Sequence, residues 1–453
     1  MMRFLALSLI IVVMFCVAPA SFAADTTEIE QTSVFDSLSE LNDSLYEVLA
    51  LAYTNNPTAR AARRELLVVR EKLQQAQAGF KPRITAEADI IHTDTKTEGQ
   101  NLFDSDGGNL SKSTSLNLNQ PLFRGGRTYA EISAAKNTIA AQELSLSATE
   151  QYVIYNATVA YMNVLRDEAV LKLNRQNYKL VAREKEQAEN RFSVGELTRT
   201  DVSQAAARLA EADADVITAN GDLKRSLAVY RQIVGSPPPR DMAYPKTAIE
   251  LPVTLDEALS LADSNNRDVL ISKFVKEAAK DDVNNQYGAF LPEIFAIGNL
   301  TKNYDASDFV DEQRQASIGV AATIPLYIAG TNLSKVRQAK KTENQRAIQI
   351  IEAEEQARQE TISNWESLLA AKAEVKARQT QIEAARIARE GVQYELEFGE
   401  RTTLDALDAN QELLDAKVKL ITAKRDEVVA QFALARSLGV LVPQRLGFSS
   451  ITP

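Results

Sequence analysis

Ser44-Leu45-Tyr46-Glu47-Val48-Leu49-Ala50-Leu51-Ala52, followed by Asn55-Asn56, returns 210 positions later as Thr254-Leu255-Asp256-Glu257-Ala258-Leu259-Ser260-Leu261-Ala262, followed by Asn265-Asn266. A match of that length means duplication, and the rest of the chain repeats with it. Phe80 and Pro82 recur as Phe290 and Pro292 at the same offset, while Pro121-Leu122-Phe123 with Gly126 recur as Pro325-Leu326-Tyr327 with Gly330, 204 positions on. Gly195, Thr198 and Asp201 recur as Gly399, Thr402 and Asp405, and Gly235 as Gly439, again 204 apart. Two copies of one unit of roughly 200 residues span 24–235 and 253–439. Between them Ser236-Pro237-Pro238-Pro239 opens a proline-rich connector, 236–252, that cannot continue a helix. Residues 440–453 form a C-terminal tail.

Inside each unit the period switches from helix to strand and back. A short helix opens with the capping box Ser44-x-x-Glu47 or Thr254-x-x-Glu257. It breaks at the paired asparagines, and a second helix runs on to about Gly79 or Gly288. Ile84, Ala86, Ala88 and Ile90 then alternate with Thr85, Glu87 and Asp89, and Leu116, Leu118 and Leu122 with Ser115, Asn117 and Asn119. That is a hairpin, about 83–122, with one apolar face. The second unit repeats it at about 293–328. The stretches Thr95 to Ser113 and Lys302 to Gln315 read as long polar loops.

After each hairpin the helical pattern is unusually long. From 128 to 191 and from 332 to 397 there is no proline and, apart from Gly391, no glycine, which predicts helices of roughly 95 to 100 Å. Tips at 193–197 and 398–401 each contain a glycine, and return helices follow at 199–234 and 402–438. Stacking the second helix of a unit end to end on the return helix would give a partner about as long as the long helix. An antiparallel coiled-coil stalk has the same periodicity.

Composition narrows the function. The chain has 453 residues, 45% hydrophobic and 25% charged, which suits packed cores and excludes disorder or a collagen-like fibre. The net charge of −10 offers nucleic acid no electrostatic footprint. One histidine (His92), one cysteine (Cys16) and one tryptophan (Trp365) leave too little for a zinc site, a histidine-dependent triad or a disulfide framework, so no metal, cofactor or enzymatic activity is expected. Residues 1–23 carry Arg3, an apolar run from Phe4 to Val17 and Ser21-Phe22-Ala23, the pattern of a secretory signal cleaved after Ala23. The run is short for a membrane anchor, which needs roughly 20 apolar residues. No later segment approaches a spanning helix, so any insertion in lipid must use strands. Four strands with one apolar face cannot close alone; two chains would give eight strands and three would give twelve. A soluble hairpin packed on a stalk remains open at this point.

Arg191-Phe192-Ser193-Val194-Gly195-Glu196-Leu197-Thr198-Arg199-Thr200-Asp201-Val202 and Phe398-Gly399-Glu400-Arg401-Thr402-Thr403-Leu404-Asp405-Ala406-Leu407-Asp408-Ala409 resemble the paired helix-tip segments of the TolC family of outer-membrane efflux and type I secretion channels. The doubled unit and the Pro-Leu-Phe/Tyr-x-x-Gly strand end agree with that family, and the resemblance covers nearly the whole mature chain. It implies a mainly α fold with transmembrane β structure: an internally duplicated protomer whose long antiparallel helical hairpins form a periplasmic α-barrel. Four strands per protomer would enter a trimeric 12-stranded outer-membrane β-barrel. The implied function is an exit duct, passively conducting substrates received from a periplasmic adaptor (membrane fusion protein) and an inner-membrane ABC or proton-driven pump. The implied partners are two further copies of the chain, outer-membrane lipid, the adaptor and the pump. A periplasmic coiled-coil scaffold or adaptor that never enters the membrane is the alternative.

The resemblance also assigns residues. Asp405 and Asp408, three apart and so on one helix face, match the acidic rings of the family's periplasmic entrance. Six carboxylates there would favour cations and raise some of their pKa values. Thr200 and Asp201 match positions that hold the entrance shut against a basic residue of a neighbouring coiled coil, and Arg401 matches that basic residue. Where the family places a tyrosine five residues before the arginine, this chain has Leu396. Val194, Gly195, Leu197, Phe398 and Gly399 would be the adaptor-contacting tips, and Glu87 and Asp89 would line the lumen of the barrel.

Overall fold

The computed structural model describes residues 43–97, 105–245, 251–307 and 310–442. The signal segment 1–23, part of the connector and the tail beyond 442 lie outside them. The chain order is α1 (Asp43–Asn55), α2 (Pro57–Gln77), β1 (Arg83–Thr97), β2 (Ser105–Arg124), α3 (Arg127–Ser193) and α4 (Arg199–Val234). The second half repeats it as α5 (Leu255–Asn265), α6 (Arg267–Gly288), β3 (Glu293–Ser307), β4 (Val310–Thr323), α7 (Thr331–Glu397) and α8 (Thr403–Ser437).

Each long helix has 67 residues, or about 100 Å at 1.5 Å per residue. α3 packs against α2 and α4 and also against α6 and α8; α7 packs against α5, α6 and α8. The way α2 follows α4, and α6 follows α8, is written in the paired asparagines. The Asn56 side-chain oxygen caps α2 by accepting from the N–H groups of Thr58 (2.9 Å) and Ala59 (3.3 Å), while its Nδ2 donates to the Ile233 carbonyl at the end of α4 (2.9 Å). Asn266 does the same for Asp268 (3.0 Å), Val269 (3.3 Å) and the Ser437 carbonyl (3.0 Å). One buried side chain thus satisfies orphan groups of two helix ends, which is the stacked partner a 100 Å helix requires. The junction is tight: Gly439 has φ +69°, and a Cβ there would stand 2.1 Å from the Asn265 carbonyl oxygen.

The main core forms around these junctions, where α1, α3, α4 and α8 bring Leu45, Leu49, Ile154, Tyr161, Tyr230, Phe432 and Leu434 to full burial. The connector is fastened there, because the Tyr161 hydroxyl donates to the Ala243 carbonyl (2.7 Å) and accepts from its N–H (3.1 Å). Arg63 on α2 and Glu150 on α3 form a buried ion pair at 2.9 Å, with Arg63 also donating to the Tyr53 carbonyl (3.0 Å) and lying over the Tyr53 ring. Burial holds the Glu150 carboxyl above the usual glutamate range in spite of Arg63. At the start of α5, Thr254 accepts from the Glu257 N–H, but the Glu257 carboxylate reaches back to the N–H of Val253 and not to that of Thr254. The Ser44 box falls on a side chain outside the described residues.

The four strands form one antiparallel sheet in the order β1-β2-β3-β4. The expected polar loops are largely strand: pairing continues outward from Ile90↔Lys112 to Thr97↔Ser105 and from Lys302↔Arg314 to Ser307↔Val310. Backbone groups make the ladder, so it runs on past the end of the apolar face. The second hairpin is in turn shorter than 293–328, since β4 stops at Thr323. β2 passes through Pro121 with a register shift between Pro121 and Phe123, paired there to β3. Pro325 cannot donate to a ladder, and β4 has only β3 beside it.

Candidate functional site

Both helix tips close by the same device. Glu196 N–H donates to the Arg191 carbonyl (2.9 Å) and Gly195 N–H to that of Phe192 (3.0 Å); Glu400 donates to Glu395 (2.9 Å) and Gly399 to Leu396 (3.1 Å). This is a Schellman closure, and it places Gly195 at φ +84° and Gly399 at φ +77°. A Cβ at either would meet nothing, so the left-handed backbone alone calls for glycine. Val194 and Phe398 stand 71% and 82% exposed on the outer surface of the turns, with Leu197 half-buried beside them.

Asp201 and Asp405 are bound into the first turns of α4 and α8. Thr198 donates its N–H (2.8 Å) and hydroxyl (2.7 Å) to Asp201 Oδ2 and accepts the Asp201 N–H; Thr402 does the same for Asp405 (2.9 and 2.8 Å). These complete capping boxes hold both carboxyls below the usual aspartate range, Asp201 chiefly through the Thr198 hydroxyl and N–H and Asp405 through the Thr402 N–H and hydroxyl. Within one protomer the Asp405 shift is therefore opposite to the upward one expected of a carboxylate ring, because hydrogen-bond donors act on it and not another carboxylate. Arg401 pairs with Glu395 of its own hairpin at 2.7 Å. The structure does not bring Arg401 and Asp201 together inside one chain, and Thr200 lies exposed on the first turn of α4.

Asp408 behaves differently from Asp405. Its Oδ1 accepts from Arg208 of α4 at 2.6 Å, and the same guanidinium meets Glu211 at 2.8 Å. Sequence reading missed Arg208. The available signal was the position 204 residues on, where the second unit carries Glu412 in its place.

At the other end of the molecule the register sorts side chains by face. Thr85, Asn117, Asn299 and Ser317 align across the four strands, as do Glu87, Ser115, Thr301 and Gln315, and then Asp89, Ser113, Asn303 and Gln313. Asn299 donates to Asn117 (2.6 Å) and Thr301 to Asn299 (2.7 Å) along this polar face. The opposite face aligns Ile84, Leu118, Gly298 and Ile318, then Ala86, Leu116, Leu300 and Ala316. Ile84 is 64% and Ile318 90% exposed. Both β1 and β4 have one unpaired edge. Among the described residues no helix is long and apolar enough to cross a membrane.

The family model described as "Outer membrane efflux protein" matches residues 48–236 and 258–440, one match on each repeat. The chain belongs to that family. Among the relatives of this efflux protein, the outer membrane efflux protein BepC of Brucella suis is 32% identical over 92% of this chain and 89% of its own. The outer membrane protein TolC of Escherichia coli is 24% identical over 91% of this chain and 85% of its own. Of the solved structures, a membrane protein from Pseudomonas aeruginosa superposes with a TM-score of 0.78 at 18% identity, covering 90% of this chain and 93% of that one. The family places the protein in the outer membrane, reaching into the periplasm, and consists of channel proteins.

Proposed function

We propose that three copies of this chain form an outer-membrane exit duct of a tripartite efflux or type I secretion system, a passive conduit with no catalytic centre. The observation that carries this is the sheet: one face with polar rows through Glu87, Asp89, Asn117 and Asn299, an opposite face with exposed apolar rows through Ile84, Leu116, Leu118, Leu300 and Ile318, and two open edges, mounted on helices of about 100 Å. Twelve strands from three chains close the edges, turn Ile84, Leu116, Leu118, Leu300 and Ile318 to lipid and turn Glu87 and Asp89 to water. The periplasmic scaffold reading leaves that apolar face without a partner.

The helical hairpins then meet in a periplasmic cylinder whose narrow end is formed by α4 and α8. Asp405 and Asp408 face the entrance, and Arg401 reaches Asp201 and Thr200 of the neighbouring copy once it leaves Glu395. Val194, Gly195, Leu197, Phe398 and Gly399 dock against a periplasmic adaptor, and an inner-membrane ABC or proton-driven pump supplies the energy. In planar bilayers Asp405→Asn should weaken block by hexamminecobalt(III), and Arg401→Ser should raise resting conductance. A protein that forms no pore, or whose block ignores Asp405, contradicts the reading.

A further inference from the structure

We infer that Arg208 sets the charge of the entrance: it masks Asp408 and fastens α4 to α8 within one protomer, leaving three unmasked aspartates in the assembled ring where six are present. This rests on the entrance reading given above.

The two acidic positions are held by unlike partners. Asp405 is bound by neutral donors of Thr402, which fix its place and keep it ionised without cancelling its charge. Asp408 is bound by a cation, with Arg208 at 2.6 Å, and neither side chain is deeply buried (35% and 52% exposed). The guanidinium is aimed by Glu211, one turn along α4, at 2.8 Å. Its surroundings are acidic: one turn further on, burial and then Glu211 and Asp415 raise the carboxyl of Asp215. A single arginine fork placed between two carboxylates presents two directed N–H groups that a lysine would supply only as a point charge.

The duplication shows that this contact is peculiar to one seam. Position for position, 204 residues apart, Arg208 corresponds to Glu412 and Asp408 to Gln204. In a ring of three doubled chains, the equivalent seam between neighbouring copies therefore sets Glu412 against Gln204, with no ion pair. The seam inside a protomer carries an arginine–aspartate bridge, and the seam between protomers depends on Arg401. Leu396 supplies no polar closing contact, and the Arg208–Asp408 bridge supplies a polar tie between α4 and α8 of one protomer.

The test uses the intact channel in planar bilayers, with hexamminecobalt(III) as blocker and the potassium-over-chloride reversal potential as a second readout. Arg208→Gln should lower the half-blocking concentration roughly tenfold, about 1.4 kcal/mol of added attraction, and strengthen potassium preference. Adding Asp408→Asn to that variant should restore block to near the parent value, and Arg208→Lys should keep it there. If Arg208→Gln leaves block unchanged while Asp405→Asn weakens it, the entrance reading stands and the masking role of Arg208 is overturned. If neither changes block, the entrance reading has failed and the inference with it.

Discussion

The helices α3 and α7 hold equivalent places in the two repeats and each has 67 residues, yet α3 buries nineteen of them and α7 six. The same contrast appears in one conserved pairing of the duplication. Arg63 and Glu150 meet between α2 and α3 with side chains 10% and 7% exposed; their counterparts Lys273 and Glu354 meet between α6 and α7 at 3.3 Å with 45% and 34% exposed. A single gene unit, used twice, has one copy finished inside the chain and one copy left open. The open flank of α7 carries Ile348 (66% exposed), Ile351 (59%), Ile362 (42%) and Ile387 (58%). α2 and α4 expose Val68 (68%) and Ile217 (65%). In the ring proposed above, the flank of α7 is covered by α2 and α4 of the next copy, and β4 by its β1.

The comparison breaks most completely if α7 can be charged without consequence. Ile348→Asp with Ile351→Asp places two unpaired carboxylates in each of three seams, so the assembled form should be lost from detergent extracts while helix content is retained. The next largest effect separates the two ion pairs. Glu150→Ala strands a buried guanidinium and should cost about 3–5 kcal/mol, read as a shift of the urea transition followed by circular dichroism. Lys273→Ala removes an exposed partner and should cost about 0–1 kcal/mol. Equal losses would show that the two flanks are alike in solution. Smaller still, Asn56→Ala and Asn266→Ala should each cost about 1–2 kcal/mol and agree with each other, since both asparagines join a cap to a carbonyl of the preceding stack. A large difference between them would sharpen the contrast by placing it at the helix junctions too.

Much of this was legible in the sequence because duplication writes the same instruction twice. The doubled unit and the tip glycines follow from residues at fixed offsets, the end-to-end stacking of helices from their matching lengths, and the fold class from the resemblance of the tip segments. What the sequence hid is mostly long-range pairing. Nothing local to Asn56 or Asn266 announces a carbonyl 177 or 171 residues away, and Arg208 meets Asp408 across 200 residues. Strand ends misled in both directions: the polar stretch from Thr95 reads as loop although its backbone is paired as far as Thr97, and apolar alternation through Leu326 reads as strand although the ladder stops at Thr323, short of Pro325. Asp201 and Asp405 read as acidic positions near a turn, and the structure adds that both are first of all helix caps.

The most direct measurement is the native mass of the mature protein extracted in detergent from outer membranes. Three chains per particle are predicted, with the flank of α7 and the edges of the sheet covered by neighbouring copies. A monomeric protein in that fraction, or a protein absent from it, would leave the apolar face of the sheet and the α7 flank uncovered and contradict the shared barrel.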